Sequence, residues 1–403
     1  MHYVRIFGLV LPLVLAGPTI GAPKEPQTSN DAANGARSAD PLNKQYGLKV
    51  FDHVLGSARE PAVIMSPYSL TSALDMLALG ADGATARLFR QQGITRPHRR
   101  GQDTYRSLTS GSNAGPTLRI ANSAWLRPHA KPRPRFVKAI RRTYDARITT
   151  LDFSRPDAAS KINAWVNSAT QEMIPQVVDS IDPTTQFALI NTVYFKGKWV
   201  TPFAKADTKA SAFTRLDGTK HNVPMMNATR SVSYAELPNW HAIALPYGGE
   251  RFQMVVATSK EPTKAAEFKQ EAAKSEFLQA LGQLKMQEVE VAVKLPRFKA
   301  EYGADLTPAL SNMGLKRAFG SGANYRHITA GRVRAIAVIH RAVVDVSEEG
   351  TEAAASTAVV ATRGLRERPP PVKFSADRPF FFAITDKVTG TALFVGYVAD
   401  PGA

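Results

Sequence analysis

There is no cysteine anywhere in the 403-residue chain. That excludes disulfides, thiol nucleophiles and cysteine-ligated metals, so an exported form would be held together by its hydrophobic core alone. A chain of this length can bury such a core. Long apolar runs are missing as well: Ile6–Ala16 is too short to span a bilayer, and nothing similar recurs, so no membrane segment is expected. The signatures of common hydrolases and nucleotide-binding proteins are also absent. There is no Gly-x-Ser-x-Gly elbow and no His-Glu-x-x-His pair, and Gly197-Lys198 is followed by Trp199 instead of Ser or Thr. The eight histidines are scattered without ligand spacing, so neither a metal site nor a cofactor is expected. These absences speak against an enzyme.

What is present fits a globular protein, with 44% hydrophobic and 21% charged residues. Arg5, the apolar run and the small residues through Gly21-Ala22 read as a signal peptide over 1–22, so a secreted or periplasmic location is expected. A polar, turn-rich stretch over 23–41 reads as a disordered lead-in, and 42–403 as one domain. The formal net charge is +17, concentrated in Arg96, His98, Arg99 and Arg100 and again between Arg127 and Arg142. Polyanions would be attracted to such a surface, although the simpler reading is a solvated basic face. No aromatics are interleaved for base stacking, which argues against specific nucleic-acid recognition.

Helical spacing covers Leu42–Ser57, then a helix opened by Ser66 as cap with Pro67 at its first position, then Phe136–Tyr144 and Ala158–Ser180. Strand patterns cover Leu118–Leu126 and the apolar run Phe187–Phe195. Later strands are expected at His241–Pro246, Phe252–Thr258, Gln287–Leu295, Arg334–Val346, Pro379–Thr385 and Thr391–Val398, with helical patches at Lys264–Leu284 and Leu306–Met313. Helices mostly early and strands mostly late give an α+β class.

The most informative segment is DVSEEGTEAAASTAVVAT, from Asp345 to Thr362. As an extended chain it places Thr351, Ala353, Ala355, Thr357 and Val359 on one face, all small or β-branched and all uncharged. Glu352, Ala354, Ser356, Ala358 and Val360 fall on the other. Glu348 to Ala358 alone would suit an Ala-rich helix, but Gly350, Thr351, Ser356, Thr357 and the Val359-Val360 pair weaken that reading.

Glu348-Glu349-Gly350-Thr351-Glu352-Ala353-Ala354-Ala355-Ser356-Thr357 resembles the reactive-loop hinge of inhibitory serpins. Phe374 to Phe382 followed by Thr389 to Gly396 resembles that family's C-terminal signature, and Asn191 to Phe203, Lys294 to Phe298 and Asn312 to Leu315 resemble further family motifs. The resemblance spans roughly residues 42–403 and implies three β-sheets, eight or nine helices, and an exposed reactive loop over about 348–371. It implies a monomer that offers the loop as bait to a serine or cysteine protease, forming a covalent complex. The cleaved loop would then insert into the main sheet, and about fourteen residues of strand would carry the protease on the order of 45 Å. Gly350 allows the bend, and Thr351 is the first side chain expected to be buried. By the same resemblance, Ser66, Ser69, Asn191 and His340 form a shutter beneath the sheet, while Trp199 with the Arg297–Glu348 pair forms the breach at its top. Ala62 stands where many members have Asn. Singly, Ser66 is better explained as a helix cap and His340 as a satisfied core histidine.

Two counts place the reactive bond differently. Counting forward from Gly350 puts it after Gly364, and counting back from Val372-Lys373-Phe374 puts it after Arg366. Arg363 and Arg366 both suit an Asp-bottomed, trypsin-like pocket. Arg363, followed by the sterically easy Gly364, is preferred to Arg366, followed by the acidic Glu367; Leu365 would suit a chymotrypsin-like target.

Overall fold

In a computed structural model, the chain is described over residues 41–94, 99–109, 115–272, 277, 281, 284–331, 333, 335–351 and 369–402. The expected signal peptide and lead-in fall outside this set except for Pro41, which opens the first helix.

The strands form two ladders. The six-stranded sheet runs, edge to edge, through β10 (Phe298–Asp305), β11 (Ile336–Ser347), the two-residue β12 (Gly350–Thr351), β4 (Phe187–Lys198), β2 (Thr117–Leu126) and β3 (Arg147–Thr150). The second contains β1 (Ala62–Met65), β15 (Thr391–Val398), β14 (Phe380–Asp386), β8 (Phe252–Ser259), β7 (Trp240–Pro246), β6 (Lys220–Glu236), β9 (Gln287–Pro296) and β13 (Val372–Ser375), with β5 (Lys209–Thr214) paired to β6. The expected second and third sheets thus join into one ladder. Strand β6 is long enough to pair with β5 along one half and with β7 at its far end.

Helix α1 (Pro41–Ser57) and α2 (Pro67–Gly80) lie in the main core beside β1 and β15. Helix α3 covers Gly83–Gln91, α4 Arg99–Thr109 and α5 Pro134–Tyr144. Helix α6 (Ala158–Ala169) covers one face of the six-stranded sheet, burying Ile162 and Val166 against Trp125, Ile190, Tyr194 and Ile339. The opposite face packs on the second sheet through Val193, Phe195, Val344 and Val346.

Two expectations need correction. The helix expected over Ala158–Ser180 ends at Ala169, because Gln171 and Glu172 take left-handed backbone (φ 55° and 67°). The Thr170 hydroxyl holds this turn by donating to the Val166 carbonyl and accepting from Ile174 N–H. Ile174 is still buried, which is why it mimicked a helical stripe. Strands β5 and β6 were not anticipated: their exposed and half-exposed positions mix polar with small or apolar residues such as Ala210, Ala212, Pro224 and Ala228, so no clean alternation shows.

Candidate functional site

The centre of the six-stranded sheet is a seam between β4 and β11, which run parallel and pair directly from Phe187–Ile336 up to Tyr194–Val343. Above that point they diverge and β12 is wedged between them, antiparallel to both. Gly350 pairs with Ser347 and Lys198, and Thr351 with Val346 and Gly197. Gly350 is required here: its φ is 139°, and a Cβ would fall 2.1 Å from the Gly197 carbonyl oxygen. Thr351 is fully buried, and its hydroxyl lies 2.8 Å from the Tyr247 hydroxyl. Thr351, expected as the first hinge side chain to be buried, is already inside the protein. The two-residue strand already occupies the top of the seam.

The residues flanking this wedge come together. Trp199 stacks on Tyr247 at 4.5 Å and donates its indole N–H to the Ser347 carbonyl at 3.0 Å. The Glu348 carboxylate, buried, accepts from Arg297 Nε at 2.7 and 2.9 Å and from the Thr208 hydroxyl. Burial pushes the Glu348 pKa up, but the Arg297 and Thr208 hydrogen bonds outweigh it and hold the carboxyl below its usual range. Lys205 pairs with Glu349 at 3.0 Å. Backbone N–H groups of Phe203 and Trp199 cap the Glu348 and Glu349 carbonyls. Tyr247, Thr208 and Lys205 were missed in the sequence, where nothing local distinguishes them.

Lower on the seam, Asn191 and His340 are direct partners across β4 and β11, and their side chains bond through His340 Nδ1 and Asn191 Oδ1 at 2.8 Å. Ser66 N–H donates to His340 Nε2 at 3.2 Å, so the neutral ring carries its proton on Nδ1. Asn191 Nδ2 donates to Ser69 Oγ and to Asn122 Oδ1. Ser66 Oγ also accepts from Ser69 N–H, so the helix cap and the cluster are one feature. Asn122 on β2 was overlooked; the Asn122-Ser123 pair inside the mostly apolar Ile120-to-Leu126 run was the available signal. Ala62 sits in β1 opposite Val398. Burial alone drives the His340 pKa down to about 3.

Hinge residues Glu352, Ala353, Ala354, Ala355, Ser356 and Thr357 lie outside the described residues. So do the reactive-bond candidates Arg363, Gly364, Leu365, Arg366 and Glu367. After Pro369–Pro371 the chain enters β13, paired parallel with β9. No helix among the described residues is long and apolar enough to cross a membrane. Nor do the described residues contain a group of three His, Cys, Asp or Glu side chains placed to hold a metal ion.

The family profile described as Serpin (serine protease inhibitor) matches residues 41–401, and the chain belongs to this family. Iripin-2 of Ixodes ricinus is 32% identical over 88% of this chain and 92% of its own length. Leukocyte elastase inhibitor A of Rattus norvegicus is 30% identical over 89% of this chain and 98% of its own. The crystal structure of native protease nexin-1 with heparin superposes with a TM-score of 0.79 at 27% identity, covering 92% of this chain and all of that one. Members of the family are commonly protease inhibitors.

Proposed function

We propose that the chain is a suicide-substrate inhibitor of a serine protease with trypsin-like specificity, a cysteine protease being the other nucleophile class it would trap. The observation that carries this reading is β12. A two-residue strand sits at the mouth of the β4–β11 seam, antiparallel to both neighbours. Continued in that register, Ala353, Ala355, Val359 and Ala361 come level with Val344, Ala342, Val338 and Ile336 on β11. On β4 the same four face Phe195, Val193, Leu189 and Phe187. Ala361 reaches the last paired residues of both strands. Every position in this set is uncharged and apolar, so the seam could close around the loop without a buried charge.

In the reaction, the protease hydroxyl attacks the carbonyl carbon of Arg363 and an ester forms. The peptide bond breaks, and Gly364 leaves as a free amine carrying the transferred proton. Residues 352–361 then enter the seam and draw the ester-linked protease down the sheet before water hydrolyses it. The end of the seam favours Arg363 over Arg366. If the cut followed Arg366, Arg363 would be carried to the level of Thr185, whose carbonyl already holds the Arg127 guanidinium at 2.9 Å, a like charge.

Incubation with trypsin should give an SDS-stable covalent band, and the cleaved protein should melt well above the intact one. Simple cleavage with no band and no gain in Tm would mean a non-inhibitory protein of this fold. The released C-terminal fragment should begin at Gly364, as read by mass spectrometry; a start at Glu367 would move the bond to Arg366.

A polyanion is a second partner favoured by one observation. Arg106, Arg119, Arg141 and Arg142 line a single surface cleft of about 410 Å³ in which Asp145 is the only carboxylate. Four clustered guanidinium groups there would attract a polyanionic chain. Export through residues 1–22 would place the inhibitor among secreted proteases.

A further inference from the structure

The geometry points to Arg230 as the positioning residue that holds the bend before β12 closed, acting through the segment Thr201–Phe203. This concerns the intact protein alone and does not depend on how a protease is trapped.

Two backbone carbonyls fix that bend. The Glu348 carbonyl accepts from Phe203 N–H at 2.8 Å, and the Glu349 carbonyl from Trp199 N–H at 2.9 Å. The two donors stand at opposite ends of the short connection that follows β4. Val200 to Ala204 belong to no strand or helix, and Pro202 has no N–H to contribute. Val200 is 45% exposed, so packing does little to hold the middle of the connection. Its Trp199 end is secured by the stack on Tyr247 and the indole bond to the Ser347 carbonyl. Its Phe203 end is secured by Arg230.

Arg230 lies on β6 opposite Val291. Its guanidinium carbon stands 4.0 Å from the centre of the buried Phe203 ring. Its two terminal nitrogens donate to the Thr201 and Pro202 carbonyls. One planar group therefore grips three consecutive residues, two by their carbonyls and one by its ring. A guanidinium fork can do this at once, whereas a lysine ammonium is a point charge. Burial alone lowers the Arg230 pKa, to about 10, so the group stays charged at neutral pH. Its Nε has no partner among the described residues. An apolar side chain would fill this half-buried place at less cost. What the cation adds is its hold on Thr201–Phe203. Without that hold Phe203 N–H drifts from the Glu348 carbonyl, and the bend opens to uncover Glu348 and Glu349, both buried in the intact fold.

The test uses a glutamate-specific endoprotease on the full chain, because cutting after Glu348 or Glu349 requires the bend to open first. The products are read by mass spectrometry. Arg230→Met keeps the apolar stem and removes the charge and the donors; it should be cut after Glu349 about tenfold faster than the unmodified protein. Arg230→Lys restores the charge without the fork and should fall between the two. Val291→Ala is the control: it removes buried core volume opposite Arg230, so it should lower Tm at least as much while leaving cleavage after Glu349 unchanged. If Arg230→Met is cut no faster than the unmodified protein, Arg230 does not hold the bend. If Val291→Ala exposes Glu349 as much as Arg230→Met at a matched loss of Tm, Arg230 serves general stability only, and the inference falls equally.

Discussion

Thr351→Arg should abolish the SDS-stable complex expected with trypsin while leaving the reactive loop cleavable. Thr351 is fully buried between Val346 and Gly197, and its hydroxyl is bonded to Tyr247, which in turn stacks on Trp199. Burying an arginine's charge here would cost several kcal/mol, roughly 2–5. The variant would withdraw β12 from the seam instead, at a cost to the intact fold of about 1–3 kcal/mol from the lost packing and hydrogen bond. Re-entry after cleavage then meets the same penalty at its first step, and deacylation wins. The stoichiometry of inhibition should rise more than tenfold on titration against trypsin. An unchanged stoichiometry would refute insertion through this mouth.

Acid should loosen the same seam from its centre. The His340 pKa is depressed by burial to about 3, against about 6.5 in an unfolded chain. The unfolded state therefore takes up the proton first. The stability due to neutral His340 is fully present above pH 6.5 and is lost as the pH falls toward about 3, at about 1.4 kcal/mol per unit. Between pH 7 and pH 5 this amounts to about 2 kcal/mol. His241 adds to it with the same sign, because burial first, then Arg378 and Lys260, lower its pKa to about 4. Protonation also removes the acceptor that Nε2 offers to Ser66 N–H, so the strain falls on the helix cap and the strand seam together. Urea midpoints measured from pH 7 to pH 5 should fall steadily. His241→Gln should retain the share due to His340, and a flat profile in that variant would overturn the assignment.

Much of this site was legible in the chain because its parts are local. Ser66-Pro67 is a helix cap by residue type, and it caps α2. The small, uncharged alternation after Gly350 describes a strand that can be added to a sheet, whatever its surroundings. The overlooked residues were legible only through contacts. Asn122 meets Asn191 across a sequence separation of 69 residues, Tyr247 meets Thr351 across 104, and Thr208 meets Glu348 across 140. No window of sequence contains both members of such a pair. The helix beyond Ala169 was misread for a related reason, since a buried Ile174 keeps helical spacing while Thr170 turns the backbone.

Residue order alone determined the family, the α+β class and the small, uncharged alternation after Gly350, because side-chain size, charge and period two are properties of neighbouring residues. Tertiary structure decided that Thr351 is already inside the seam and that His340 and Asn191 lie on one level. Those facts depend on the register between strands distant in sequence, which backbone hydrogen bonds set only once the sheet has formed.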